Sequence, residues 1–169
     1  MIDCTRRVFV LTTLLVVAVA SNCKGDDDRR VIALFGDEDM LEVLRMPESV
    51  EAFRLKETFS EDGIPDADGR TAGPIELDAE LSEQLATLML DPDTYEWRLS
   101  KACDPRYGVL VQFTAGDTTV EVLYCFECDI LAIYVNGEFT GIGEFDHGSD
   151  QLAQVFKEVF PDDEVIQGL

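Results

Sequence analysis

The stretch from Val109 to Ile142 constrains the fold most, because its apolar residues recur with a period of two. Val109, Val111 and Phe113 alternate with more polar neighbours, and Ala115-Gly116-Asp117 reads as a turn. Val120, Val122 and Tyr124 then alternate with Thr119, Glu121 and Leu123. Ile130 to Val135 is a third apolar run, and Glu138 to Ile142 a short fourth strand. Between these two lies Asn136-Gly137, a strong signal for a two-residue hairpin whose central residues need positive φ. Successive runs of this kind, separated by turn residues, predict an antiparallel meander.

On either side the period changes to that of a helix. Asp37 to Met46, stopped by Pro47, carries a loose apolar face of Met40, Leu41, Val43 and Leu44. Asp78 is the expected N-cap of a second helix, in which Leu77, Leu81, Leu85, Leu88 and Met89 recur until Pro92. Leu152, Val155, Phe156, Val159 and Phe160 form one continuous stripe, expected to be capped by Ser149 and ended by Pro161. Val50 to Phe59 alternates, with Phe53, Leu55 and Phe59 on one side, and suggests a further strand. The stretch 60–76 reads as turns. Helices outside a run of strands predict an α+β domain over 31–169. Its expected architecture is an antiparallel sheet of about four to five strands in a meander, with helices packed on one face.

Within 60–76, Asp66-Ala67-Asp68-Gly69 hints at a calcium loop. With Gly69 at the sixth position of such a loop, Ile64 and Ile75 would stand at the first and twelfth, where oxygen ligands are required. The segment is therefore read as a surface turn.

The N-terminus reads as an address rather than as fold. Arg6 and Arg7 precede an apolar run from Val8 to Ala20, and Ala18 and Ala20 make a small-residue cleavage site before Ser21. The run is shorter than the ~20 residues a membrane-spanning helix needs. Residues 1–22 thus match a secretory signal peptide, and 23–30 read as a charged tether. Cys23, followed by Lys24-Gly25-Asp26-Asp27-Asp28, resembles the lipidated cysteine of a bacterial lipoprotein. Ala20 and Asn22 depart from that pattern, which wants a large aliphatic and a small residue at those places. Thr5-Arg6-Arg7-Val8-Phe9-Val10 resembles a twin-arginine signal. The expected location is the periplasm, or the cell envelope through a lipid on Cys23.

The whole chain carries a net charge of −22. Nucleic-acid affinity comes from Lys and Arg neutralising phosphates, so this balance argues against a nucleic-acid partner. It equally opposes an anionic membrane surface, which leaves an N-terminal lipid as the only expected membrane contact. The carboxylates are spread along the chain, as on a solubilising surface.

Three cysteines follow in the predicted domain: Cys103, Cys125 and Cys128. On a straight strand the Cα atoms of Cys125 and Cys128 would be about 10 Å apart, beyond the ~7 Å limit of a disulfide. A bend at Phe126-Glu127 is therefore needed if they are to meet, and neither residue favours positive φ. Four readings remain open. Cys103 can bridge Cys125 or Cys128, as an oxidising compartment favours. The C-x-x-C spacing can serve thiol–disulfide exchange, although Glu127 and Asp129 would raise the thiol pKa values and blunt reactivity. Cys103, Cys125 and Cys128 with the single histidine, His147, would make a Cys3His zinc set, although a second ligand pair at short spacing is missing. Or the thiols are simply buried. No cofactor is otherwise predicted. The sequence shows no Gly-x-Ser-x-Gly, His-Glu-x-x-His, Walker or dinucleotide loop, so no catalytic residue is assigned.

Lys101-Ala102-Cys103-Asp104-Pro105-Arg106-Tyr107-Gly108, the strand pair after it, Cys125-Phe126-Glu127-Cys128 and the closing Phe160-Pro161 together resemble a family of small bacterial exported proteins, many of them lipoprotein-like. The resemblance covers roughly residues 75–165 and implies export but no activity. The sequence reading is an exported acidic binding or envelope-interaction module with a structural disulfide, acting on an envelope or extracellular partner. The alternative is a thiol-redox or zinc protein centred on Cys103, Cys125 and Cys128.

Overall fold

The computed structural model describes residues 25–56, 69–98 and 100–169. The expected signal peptide, Cys23, and most of the acidic 61–69 turn lie outside the described residues.

Helix α1 spans 25–35, so the segment read as a charged tether is largely helical. Asp26 and Asp27 sit in its first turn, where the helix dipole favours carboxylates, and both approach Arg30 one turn on. Val31, Leu34 and Phe35 are buried at helical spacing. Helix α2 (Glu38–Arg45) starts where Asp37 accepts the N–H groups of Asp39 and Met40, and it buries Leu41, Val43 and Leu44. Strand β1 (Ser49–Leu55) pairs antiparallel with β2 (Arg70–Glu76). Helix α3 (Ala79–Leu90) is capped as expected by Asp78, whose side chain accepts from Leu81 N–H. Strands β3 (Val109–Ala115), β4 (Thr118–Cys125), β5 (Ile130–Val135) and β6 (Glu138–Glu144) form the meander. Helices α4 (Ser149–Val159) and α5 (Glu164–Gln167) end the chain.

Among the described residues the six strands form one antiparallel sheet in the order β2-β1-β3-β4-β5-β6. The sheet is thus wider than the four to five strands expected. The addition is β2, within a stretch read as turns. It is an edge strand and mostly exposed, so no apolar alternation marks it. Its Pro74 is tolerated because an edge position needs no second ladder bond.

The helices share one face. Val50, Ala52, Val109, Val111, Phe113, Val120, Val122, Tyr124, Leu131 and Ile133 point from the sheet into a core completed by all five helices. A smaller cluster lies on the opposite face, built on Phe53, Leu55, Leu110, Leu123 and Ala132 and joined by Tyr107, Cys125 and Cys128. Asn136 (φ 50°) and Gly137 (φ 81°) make the expected tight hairpin. The β4–β5 register places Val122 opposite Ile133 and Tyr124 opposite Leu131.

Two local expectations fail. Ser149 does not cap α4; Gly148 occupies the cap position and makes no side-chain cap bond. A 3-10 turn over Asp146–Gly148 already winds the chain into the helix, and the Ser149 hydroxyl donates instead to Asp129 Oδ1 at 2.6 Å. Nor do Phe126 and Glu127 have to supply a left-handed turn. The β4–β5 loop is longer, and its positive-φ residue is Asp129 (φ 51°), a type whose short polar side chain tolerates that conformation.

Candidate functional site

The β4–β5 loop, the 100–108 segment, the end of β6 and the start of α4 meet at one corner of the sheet. Phe126 anchors the loop from inside. Its ring lies 5.3 Å from Phe145, 5.7 Å from Phe156 and 6.3 Å from Tyr124. Tyr124 and Phe156 meet edge to face at 4.9 Å, the arrangement aromatic quadrupoles prefer. With Phe126 turned to the helices, Cys125 and Cys128 are left on the other cluster.

Cys103 is bonded to Cys128, with Cα atoms 6.2 Å apart and a sequence separation of 25. That spacing suits a disulfide. Beside it, Lys101 Nζ donates to the Cys128 carbonyl oxygen at 2.6 Å and meets Asp146 Oδ1 at 2.7 Å and Asp129 Oδ2 at 3.6 Å. The Lys101 backbone N–H donates to Glu144 Oε1 at 2.8 Å. Asp129 is held in turn by Ser149, and its carbonyl oxygen accepts Phe145 N–H at 2.8 Å. One lysine thus ties the 100–108 segment, the cysteine loop and the entry to α4 together.

The electrostatics follow from these partners. Burial alone would lower the Lys101 pKa, but the hydrogen bond to Asp146 and the charges of Asp146 and Asp129 more than offset it and hold it above the usual lysine value. Glu144 Oε2 and Asp146 Oδ2 are buried without a hydrogen-bond partner among the described residues, so the corner keeps unused acceptor capacity. Tyr107 is pushed up to about 12, by burial first and then by Tyr134 and Cys125.

The structure therefore joins two of the sequence-selected residues and separates the others. Cys125 is buried and unbridged; its Sγ accepts Arg106 N–H at 3.3 Å. His147 is 57% exposed, and its Nε2 faces Glu96 Oε2 at 3.5 Å rather than the cysteines. The Cys103, Cys125, Cys128 and His147 zinc set is thus not assembled: two of its sulfurs are bonded to each other and its imidazole has a different neighbour. Among the described residues, no group of three or more His, Cys, Asp or Glu side chains is arranged to hold a metal ion. The C-x-x-C segment lies in a hairpin loop, not at the helix N-terminus that activates a thiolate.

Sequence reasoning missed Lys101, Asp129 and Asp146. A signal existed in Lys101 itself, since a lysine two residues from a cysteine stands out in a chain with 13 basic and 35 acidic residues. No protein-family model matches the chain, and no match was found to a curated protein or to a solved structure.

Proposed function

We propose that this chain is an exported acidic binding module of the cell envelope, stapled by Cys103–Cys128 and acting on an envelope or extracellular partner. The observation that carries the reading is the Cys103–Cys128 bond, because such bonds persist in oxidising compartments and are rare in the cytosol. The hydrophobic run Val8 to Ala20 behind Arg6 and Arg7 supports the same route. The corner around the bond favours binding over catalysis, since its amine is engaged by Asp146, Asp129 and the Cys128 carbonyl oxygen and its remaining thiol is buried. Closing that loop stabilises the fold by roughly 3 kcal/mol on the chain-entropy account.

Cys23 is the proposed lipid attachment point, with cleavage after Ala20 as the other processing route. Fractionation of cells expressing the chain with and without Cys23→Ser separates them. Membrane association that disappears in the variant supports lipidation. Association that persists overturns it, and retention of the unsubstituted chain in the cytosol overturns export altogether.

A further inference from the structure

Helices α3 and α4 lie side by side and enclose an open groove of about 620 Å³. Its floor is apolar, made by Leu88 from α3 and Val155 from α4. Its rim carries three exposed carboxylates, Glu80, Glu83 and Glu158. Three carboxylates elsewhere in the fold meet a cation: Asp163 meets Arg54, and Asp129 and Asp146 meet Lys101. Among the described residues no cation pairs with the three on this rim. Helix α3 contains no Lys or Arg. The one basic residue of α4, Lys157, is occupied elsewhere, its Nζ donating to the Leu169 carbonyl oxygen at 2.6 Å. The cleft beside Met46 and Pro47 differs, because Arg45 lines it and already meets Glu42.

We propose that this groove docks a basic amphipathic helix of a partner protein, with the partner's apolar stripe on Leu88 and Val155 and its Lys or Arg residues on Glu80, Glu83 and Glu158. This rests on the reading of the chain as a binding module and names the kind of partner it takes. Helix-in-groove recognition needs an apolar trough and a polar rim, and both are present. Charge complementarity selects the sign: a chain of net charge −22 repels acidic partners and steers basic ones towards it.

The test uses the purified full chain and a labelled synthetic Leu/Lys peptide of about 18 residues, long enough for ~27 Å of helix, at ~0.15 M salt, where long-range attraction is screened. Binding is expected to make the peptide helical. The double variant Glu83→Gln, Glu158→Gln is expected to weaken it about tenfold, the size of a change of two close charge pairs. Thr87→Trp, which fills the groove from an exposed rim position, is expected to abolish it. The control Asp117→Asn, Glu138→Gln removes the same charge at exposed hairpin positions and is expected to leave affinity within about twofold. Equal weakening by both double variants, undiminished binding by Thr87→Trp, or no binding at all would overturn the proposal. None of these outcomes bears on export or on the disulfide, which fail separately, by fractionation and by a disulfide map.

Discussion

Arg54 on β1 donates its Nε–H to Asp163 Oδ2 at 2.8 Å, a bond that spans 109 positions of sequence. Arg54 is only 6% exposed, and its Nη1 also donates to the carbonyl oxygens of Leu55 and Gly108. Asp163 accepts in addition the N–H groups of Val165 and Ile166, which makes it the N-cap of α5. The pair therefore fastens the last helix to β1, the strand next to the β2 edge of the sheet.

Arg54→Ala leaves these acceptors without their donor and Asp163 without its cation. Arg54 is buried but Asp163 is partly exposed, so the loss should fall below the ~3 kcal/mol of a fully buried pair, at about 1–3 kcal/mol for the acceptors left unpaired, and the midpoint of denaturant unfolding should fall accordingly. Asp163→Asn keeps a capping oxygen but loses the charge, so it should cost less than Arg54→Ala.

The same pair gives the fold a pH dependence. Burial raises the Asp163 pKa, but the N–H of Ile166, the charge and hydrogen bond of Arg54, and the N–H of Val165 outweigh it and hold the carboxyl below its usual value. A depressed folded value means the stabilisation is fully present above the unfolded carboxyl pKa of ~3.9. It is lost as pH falls through the lower, folded value. The stability gap between the unsubstituted chain and Asp163→Asn should be constant near neutrality and close in acid. A gap that widens on acidification contradicts this.

Lys101→Met removes the ammonium from Asp129, Asp146 and the Cys128 carbonyl while keeping the length of the side chain. Leaving partly buried acceptors unpaired should cost about 1–3 kcal/mol. Because Lys101 stands two residues before Cys103, the variant should also speed reduction of the disulfide by a small-molecule thiol. An unchanged reduction rate would show that the lysine does not restrain the loop.

Gly73 has φ +102°, and a Cβ added there would lie 2.6 Å from the Ala52 carbonyl oxygen. Gly116 also has positive φ, +58°, but open space around it. Gly73→Ala should therefore cost clearly more than the ~1–2 kcal/mol that a left-handed alanine costs in the open, and Gly116→Ala about that amount. Thermal unfolding of the two variants measures the difference.

The elements legible in the sequence were those with a strong pattern: the stripe of α4, the leucines of α3, the alternation of β3 and β4 and the apolar run of β5. Helix α1 was hidden because its first turn lies in a charged run, although Val31, Leu34 and Phe35 have helical spacing. Strand β2 was hidden because an exposed edge strand has no buried face to impose alternation. At the corner, sequence left four readings of the cysteines open, and even within the structural one could not choose between Cys125 and Cys128 as the partner of Cys103. The choice depends on Phe126 turning inward and on Cys125 finishing β4 opposite Ile130, which only the packed sheet supplies. The Lys101 network was illegible for the same reason: positions 101, 129 and 146 meet only once β5, β6 and α4 are assembled.

The central claim is a disulfide-stapled exported domain, and a disulfide map of the protein recovered from cells tests it most directly. Thiols are blocked on lysis, the chain is digested without reduction, and the linked peptides are identified by mass spectrometry. The expected result is a Cys103–Cys128 linked peptide, with Cys125 reached by the blocking reagent only after denaturation. Recovery of all three cysteines as free thiols, a Cys125–Cys128 link, or stoichiometric zinc released with the three thiols would contradict it.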